Sequence, residues 1–113
     1  MLAIFSCNST IVHMTVKKDD INEIVAVISM AAEDKRLLGE FLIDLLTPAE
    51  RREIAARWQI IKQLDRGIPQ RKIAENLGVS VATVSRGARE MLDPKGGFHK
   101  VLARFDARKA RNI

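Results

Sequence analysis

Between positions 81 and 89, small and basic side chains recur at the spacing of one exposed helical face. The outward set is Val81, Ala82, Ser85, Arg86 and Arg89. Methyl groups of this kind can contact thymine, while a hydroxyl and guanidinium groups can donate hydrogen bonds to base edges and phosphates. The pattern therefore predicts a recognition helix that enters the major groove of DNA.

A second helical pattern and a tight turn precede this helix and must hold it in position. Residues 70–77 form the first helix of the pair, Gly78 permits the left-handed backbone of a sharp turn, and Ser80 can cap the recognition helix. The apolar positions of the two helices are Ile73, Ala74, Leu77, Val84, Ala88 and Met91. Together these features predict a helix-turn-helix at residues 70–91. The alternative is a packed helical hairpin with no role in DNA binding.

The charge of the chain is divided unevenly along its length. Residues 1–50 contain four Lys and Arg against eight acids, whereas residues 51–113 contain fifteen against six, a net charge of +9. The basic part contains the predicted helix-turn-helix, as expected of a protein that binds a polyanion. A basic face that is only solvated would give the same count. The charge therefore supports DNA binding only in combination with the motif.

Several classes of protein are disfavoured by what the sequence lacks. It has no phosphate-binding loop, no paired carboxylates in a plausible cleft and no nucleophile near a base, so we do not expect an enzyme. No cluster of Cys, His, Asp or Glu has the spacing of metal ligands, and no segment approaches the roughly 20 apolar residues of a membrane span. The single cysteine, Cys7, fits a reducing compartment, and we expect a cytoplasmic protein that does not bind a membrane.

The remaining elements predict an all-α protein of six helices. Asp19 or Asp20 can cap the first helix, a second follows at about 34–46, and Thr47 with Glu50 forms the capping box of a third that ends near Asp65. The apolar positions expected to face inward are Ile21, Ile24, Val25 and Ile28 in the first helix, Ile54, Trp58, Ile61 and Leu64 in the third, and Phe98, Val101, Leu102 and Phe105 in the last.

The sequence predicts three segments, namely a flexible arm at 1–18, a helical dimerisation and DNA-binding domain at 19–106, and a basic tail at 107–113. Met14 is a plausible alternative start.

The second helix is apolar on more than one face. Its apolar residues are Leu37, Leu38, Phe41, Leu42, Leu45 and Leu46. A helix too apolar for one core stripe usually buries its other face against another chain, so the pattern favours a homodimer. The alternative is a small bundle that wraps around this helix.

Two blocks of the sequence are similar to one known family. LLTPAERREIAARWQIIKQLDRG, at 45–67, and QRKIAENLGVSVATVSRGAREML, at 70–92, resemble the bacterial Trp repressor family. The resemblance extends over about residues 37–105, and its most specific pieces are LLTPAER, Arg57 and ATVSRG. It implies an intertwined, all-helical homodimer that binds palindromic operators, with L-tryptophan as corepressor.

The resemblance also implies a ligand site between the third helix and the recognition helix. Arg57 and Arg86 would stack on the two faces of an indole ring, Arg86 would pair with the ligand carboxylate, and Gly87 would leave room for the ring. Backbone carbonyls of Asp44 and Leu46 of the partner subunit would accept hydrogen bonds from the ammonium group. The complete implied set is Asp44, Leu46, Thr47, Arg57, Thr83, Arg86, Gly87 and Glu90.

For DNA, the resemblance implies contacts from both helices of the motif. Arg71 would reach a guanine edge or a nearby phosphate, and small recognition residues would leave room for bridging waters, which carry nearly all base contacts in the Trp repressor complex. The implied DNA-contacting set is Gln70, Arg71, Val81, Ala82, Ser85, Arg86 and Arg89.

The sequence departs from the family pattern at two places. The segment 67–70 is one residue shorter than expected, which could tilt the first motif helix. Glu90 stands where the family usually has a serine beside the ligand ammonium, and it could either pair with that ammonium or fill the pocket by pairing with Arg57.

The sequence thus favours a tryptophan-responsive, DNA-binding repressor with an amino acid effector. A Trp-repressor-like regulator with another ligand or none is the alternative, and Glu90 is the residue that favours it. A protein-interaction module that uses the apolar N-terminal helices and does not bind DNA is a third hypothesis.

Overall fold

The computed structural model describes residues 15–111, which form six α-helices and no strand. In chain order the helices are α1 (Lys18–Ala31), α2 (Lys35–Leu45), α3 (Pro48–Asp65), α4 (Gln70–Leu77), α5 (Val81–Glu90) and α6 (Gly97–Arg111). The prediction of an all-α, six-helix protein is confirmed. The expectations for Cys7, for a start at Met14 and for most of the N-terminal arm concern residues outside the described range, while α6 includes residues 107–111 of the predicted tail.

The described residues fall into two units, with the division between Leu45 and Leu46. In the first unit, α1 begins at Lys18 after Lys17, whose backbone N–H donates to the carboxylate of Asp20 at 3.1 Å. The prediction that Asp19 or Asp20 precedes the helix as its cap was wrong, because Asp20 lies inside the first turn and reaches back. Asp34 begins α2 by accepting hydrogen bonds from the N–H groups of Arg36 and Leu37.

The second unit opens with the predicted capping box at the start of α3. The N–H of Glu50 donates to the Thr47 hydroxyl at 3.1 Å, and the N–H of Thr47 donates to the Glu50 carboxylate at 2.8 Å. Pro48 occupies the first helical position, where its missing N–H costs nothing. The helix ends at Asp65, and Gly67 follows with a φ of 77°. These local predictions are confirmed.

The core of the second unit joins α3, α4 and α5. Ile60 of α3, Ile73 and Ala74 of α4, and Val84 of α5 are buried against one another. Leu64, Ile68, Leu77 and Val79 pack around this cluster. These three helices of the second unit therefore share one apolar contact, which sets how α5 lies against α3.

Some apolar positions expected to face inward are exposed in the single chain. Ile54 of α3 is 49% exposed, and Ile21 and Val25 of α1 are 52% and 56% exposed. The prediction that Ile54 faces the core was wrong. Ile54 lies on the same side of α3 as the buried Ile61, two turns away, but the apolar cluster with α4 and α5 contains α3 residues only from the later turns, Ile60 and Leu64. Periodicity alone could not show where along the helix this contact ends.

The last helix, α6, packs on α3 through one side. Leu102 is buried, whereas Val101 and Phe105 are exposed at 53% and 39%. The Phe105 ring meets the Trp58 ring edge-on, with centroids 5.5 Å apart. An imidazole nitrogen of His99, Nε2, lies 2.9 Å from the Met91 carbonyl oxygen and ties α6 to the end of α5. No helix within residues 15–111 is long and apolar enough to cross a membrane.

The turn of the helix-turn-helix depends on the backbone of Gly78. Its φ is 67°, and a Cβ at this position would meet no atom within 4 Å. We expect Gly78→Ala to lower the free energy of unfolding by about 1–2 kcal/mol, because a left-handed backbone brings any Cβ close to its own carbonyl. Urea unfolding at a fixed protein concentration measures the effect.

Gly97→Ala is the matched control for this substitution. Gly97 also has open space around its Cβ position, but its φ is not positive. The control should change the unfolding free energy by less than about 0.5 kcal/mol. Equal effects of the two substitutions would show that the left-handed backbone at position 78 does not strain an alanine there.

Candidate effector cavity and nucleic-acid interface

The structure places the predicted DNA-contacting residues of α5 on its outer side. The Ser80 hydroxyl accepts from the N–H of Thr83 at 3.1 Å and so caps the helix as predicted. Val84 is fully buried on the inner side, which leaves Val81, 44% exposed, on the outer side with Ala82, Arg86 and Arg89, all of which are exposed. The geometry thus presents methyl and guanidinium groups together, as direct contact with a groove requires.

Two of the predicted DNA-contacting residues are hydrogen-bonded to each other. The Ser85 hydroxyl donates to the Gln70 side-chain oxygen at 2.7 Å, which connects α5 to the first turn of α4. Ser85 is therefore half-buried, unlike its neighbours on the outer side. A second cross-link joins α4 to α3, where the Asn76 amide donates to the Gln63 side-chain oxygen at 3.0 Å. Polar bridges on the surface thus supplement the apolar core in fixing the three helices.

A cavity of about 610 Å³ opens between α3 and α5, and we refer to it as the α3–α5 cavity. It is lined by Glu53, Ala56, Arg57, Ile60, Val79, Thr83, Arg86, Gly87, Glu90 and Phe98. Five of the eight residues that sequence resemblance assigned to ligand binding lie in this wall: Arg57, Thr83, Arg86, Gly87 and Glu90. The structure thus brings these five residues together in one wall.

Four charged side chains line this cavity. Arg57 and Glu53 belong to α3, and Arg86 and Glu90 belong to α5. In the part of the chain that the structure describes, Glu90 makes no ion pair within 4.0 Å with either arginine. All four side chains are exposed to solvent. The cavity therefore has both cationic and anionic groups that a bound zwitterion could contact.

Gly87 lies where α5 packs closely on α3. A Cβ at this position would lie 3.0 Å from the Cγ2 atom of Ile60 and 3.7 Å from the Cδ1 atom of Leu64. The absence of a side chain thus serves the packing of the two helices as well as the space in the cavity. Sequence resemblance implied only that Gly87 leaves space in the cavity, not that it allows the two helices to pack.

Three of the residues assigned to ligand binding lie outside this wall. Thr47 engages Glu50 at the start of α3, Asp44 lies in α2, and the Leu46 carbonyl accepts a hydrogen bond from the Arg51 guanidinium at 3.1 Å. The carbonyls of Asp44 and Leu46 were expected from the partner subunit, so the single chain does not test that assignment.

Sequence reasoning missed five of the residues that line the cavity, namely Glu53, Ala56, Ile60, Val79 and Phe98. Two of them carried a usable signal, because Glu53 precedes Arg57 by one helical turn and Ala56 is its small neighbour. Val79 and Phe98 carried none, since they reach the cavity only through the turn and through α6. No group of three or more His, Cys, Asp or Glu side chains within residues 15–111 is placed to share a metal ion.

Comparison with known proteins gives one family. The model of the family described as Trp repressor protein matches residues 19–106. A protein of Actinobacillus succinogenes named Trp operon repressor homolog is 50% identical over 58 residues, which are 49% of this chain and 57% of that protein. Proteins with the same name from Haemophilus influenzae and Aliivibrio salmonicida are each 40% identical over 76 residues.

The matched segment covers different shares of these relatives. The match to the Haemophilus influenzae protein spans 65% of this chain and 74% of that protein. The match to the Aliivibrio salmonicida protein spans 66% of this chain and 69% of that protein. The chain therefore spans little more than half of the first relative and about three quarters of the second. No solved structure matches this chain significantly.

The hydrogen bond between Ser85 and Gln70 generates a prediction about the stability of the motif. Removing either partner, by Ser85→Ala or Gln70→Ala, should lower the unfolding free energy by about 0.5–1.5 kcal/mol, because each loses the same bond between α4 and α5. The double variant should then lose no more unfolding free energy than a single variant loses. A double-mutant cycle by urea unfolding measures this coupling. Strict additivity of the two losses would contradict the bond.

Proposed function

This chain belongs to the Trp repressor protein family, and we propose that it is a sequence-specific, DNA-binding transcriptional repressor that uses L-tryptophan as corepressor in the cytoplasm. The observation that carries the proposal is the double position of Arg86. It lies on the exposed outer side of α5 and also lines the α3–α5 cavity. A ligand in the cavity would therefore contact the same helix that contacts DNA.

The charges of the cavity support an amino acid as the ligand. The guanidinium groups of Arg57 and Arg86 would stack on the two faces of the indole, and Arg86 would also bind the carboxylate. Thr83 would flank the carboxylate from the first turn of α5, with Thr47 nearby, and carbonyls of Asp44 and Leu46 of the partner subunit would accept from the ammonium group. An amino acid zwitterion needs both kinds of partner, because desolvating either charge without one is costly.

The ligand would act by shifting the orientation of two DNA-reading heads in a homodimer. Without it, the α4–α5 pairs of the two subunits would sample several orientations. With it, they would be held about 34–36 Å apart, the distance between successive major grooves on one face of DNA. A ligand shifts such an equilibrium only through its different affinities for the orientations, with a typical coupling of about 1–3 kcal/mol.

The DNA contacts would divide between positioning and reading. Arg71, Arg86 and Arg89 are exposed and would bind phosphates or guanine edges. Val81 and Ala82 would pack near base edges and leave space for bridging waters. Gln70 and Ser85 already satisfy each other, so they would contact DNA with their remaining hydrogen-bonding groups while their mutual bond holds the motif.

A regulator with the same DNA interface and another ligand, or none, is the second candidate. The observation that favours it is the presence of Glu53 and Glu90 beside the two arginines of the cavity. These four side chains balance in charge, and small movements of exposed side chains would let them pair without any ligand. Calorimetry with tryptophan distinguishes the two candidates.

We expect isothermal titration calorimetry to give saturable binding of L-tryptophan at one ligand per chain. Arg86→Ala should weaken this binding by about 1.5–3 kcal/mol, because it removes a charge-assisted hydrogen bond to the carboxylate. Arg104→Ala, in α6 and outside the cavity wall, is the matched control and should bind as the wild type does. No heat at millimolar tryptophan, with an unchanged melting temperature, would favour the second candidate.

The DNA interface is tested with a labelled duplex selected by the wild-type protein from a random library. Arg71→Ala should weaken binding to this duplex by about 1–3 kcal/mol if it contacts a base, or lower the salt dependence by about one unit of slope if it contacts a phosphate. Fluorescence anisotropy at several salt concentrations measures both, with and without tryptophan, and Arg104→Ala is again the control. Unchanged DNA binding by the Arg71→Ala variant would show that Arg71 does not contact DNA.

A further inference from the structure

The hydrogen bond between α4 and α5 fixes the orientation of one side-chain amide. The Ser85 hydroxyl donates to the Oε1 atom of Gln70 at 2.7 Å, which turns the oxygen of the amide towards α5. The Nε2 atom of Gln70 lies on the other side of the same planar group and has two N–H donors. In the part of the chain that the structure describes, these donors reach no protein acceptor. The amide therefore offers N–H groups to an approaching molecule.

This amide lies beside the face of α5 that carries the predicted DNA-contacting residues. Val81 and Ala82 precede Ser85 by four and three residues, and Arg89 follows it by four, so all of them share one face of the helix. Val81, Ala82 and Arg89 are exposed, and so is Gln70. A groove that received this face of α5 would therefore meet the N–H groups of Gln70 next to the methyl groups of α5.

The polarity of the amide matters because the four bases differ in the donors and acceptors of their major-groove edges. Guanine presents two acceptors, O6 and N7, and thymine presents the acceptor O4, whereas adenine and cytosine each present an amino group. A glutamine that can turn freely often pairs with adenine, since its oxygen accepts from N6 while its nitrogen donates to N7. Gln70 cannot pair in this way while Ser85 holds its oxygen.

A second amide bridge in the same unit provides an internal comparison. The Asn76 amide donates to the side-chain oxygen of Gln63 at 3.0 Å and joins α4 to α3. Gln63 is half-buried and belongs to α3, so this bridge does not include a residue of α5. The two bridges therefore hold α4 to different neighbours, and only the bridge from Ser85 lies beside the exposed face of α5.

We propose that Ser85 and Gln70 form a specificity-determining pair, in which Ser85 positions the amide and Gln70 selects guanine or thymine at one position of each operator half-site. The inference rests on the proposed function, since it requires that α5 reads DNA. Gln70 contacts the base, and Ser85 acts through Gln70. A phosphate oxygen would also accept from the amide, but a phosphate contact carries no sequence information. The base preference of the protein therefore distinguishes the two kinds of contact.

The test sequences the duplexes that the full-length chain selects from a random library, with and without L-tryptophan. The wild-type protein should prefer guanine or thymine at one position of each half-site by about tenfold, the discrimination that a good pair of hydrogen bonds gives. Gln70→Glu keeps an acceptor for Ser85 but replaces the N–H donors with an oxygen, so the preference there should change to cytosine or adenine. Ser85→Ala releases the amide, and adenine should then be accepted at the same position.

Gln63→Glu is the matched control, because it makes the same change in the other bridge and keeps the acceptor for Asn76. It should leave every base preference as in the wild type. Uniformly weaker binding by Gln70→Glu with an unchanged preference would assign Gln70 to a phosphate and overturn the proposal, as would an equal change of preference in Gln63→Glu. If the wild-type protein selected no sequence in either condition, the proposed function and the role of this pair would both fall. Thermal unfolding checks that each variant folds.

Discussion

The close packing of α5 on α3 is the constraint on which the rest of the second unit depends. Ile60, Ile73 and Val84 are almost completely buried against one another, and Gly87 allows the two helices to approach until a single methyl group would meet Ile60 at 3.0 Å. Side chains in such a contact have few alternative arrangements, because interiors are packed as densely as organic crystals. The orientation of α5, and of the side chains on its outer side, follows from this contact.

The same contact borders the cavity. Gly87 and Ile60, which meet there, both line the α3–α5 cavity, and Arg57 and Arg86 belong to the same wall. A ligand in this space would have the recognition helix as one of its walls, and any preference for one orientation of α5 would be passed on without further intermediates. Effector binding and DNA reading would thus be coupled through a shared element.

Several apolar residues in the described part of the chain are exposed in the single chain. Ile21, Val25 and Ile43 in the first unit, and Ile54 and Val101 in the second, are each about half exposed or more. Isolated apolar residues are common on protein surfaces, whereas large contiguous apolar patches usually mark an interface. The proposed homodimer would cover such faces, and a second copy would also supply the carbonyl groups proposed for the ligand ammonium.

The sequence alone determined the local structure of this protein, while its site was decided by tertiary packing. The capping box at Thr47, the turn at Gly78 and the cap at Ser80 were predicted correctly, because each depends on hydrogen bonds or backbone angles within a few residues. The positions of Arg57 and Arg86 in one cavity followed from resemblance to a family and not from spacing.

Tertiary structure alone brought Glu53, Val79 and Phe98 to the same cavity, paired Ser85 with Gln70, and left Ile54 outside the core. These outcomes depend on how three helices lie against one another. Periodicity identifies which side of a helix is apolar, but only packing decides which apolar side meets which neighbour.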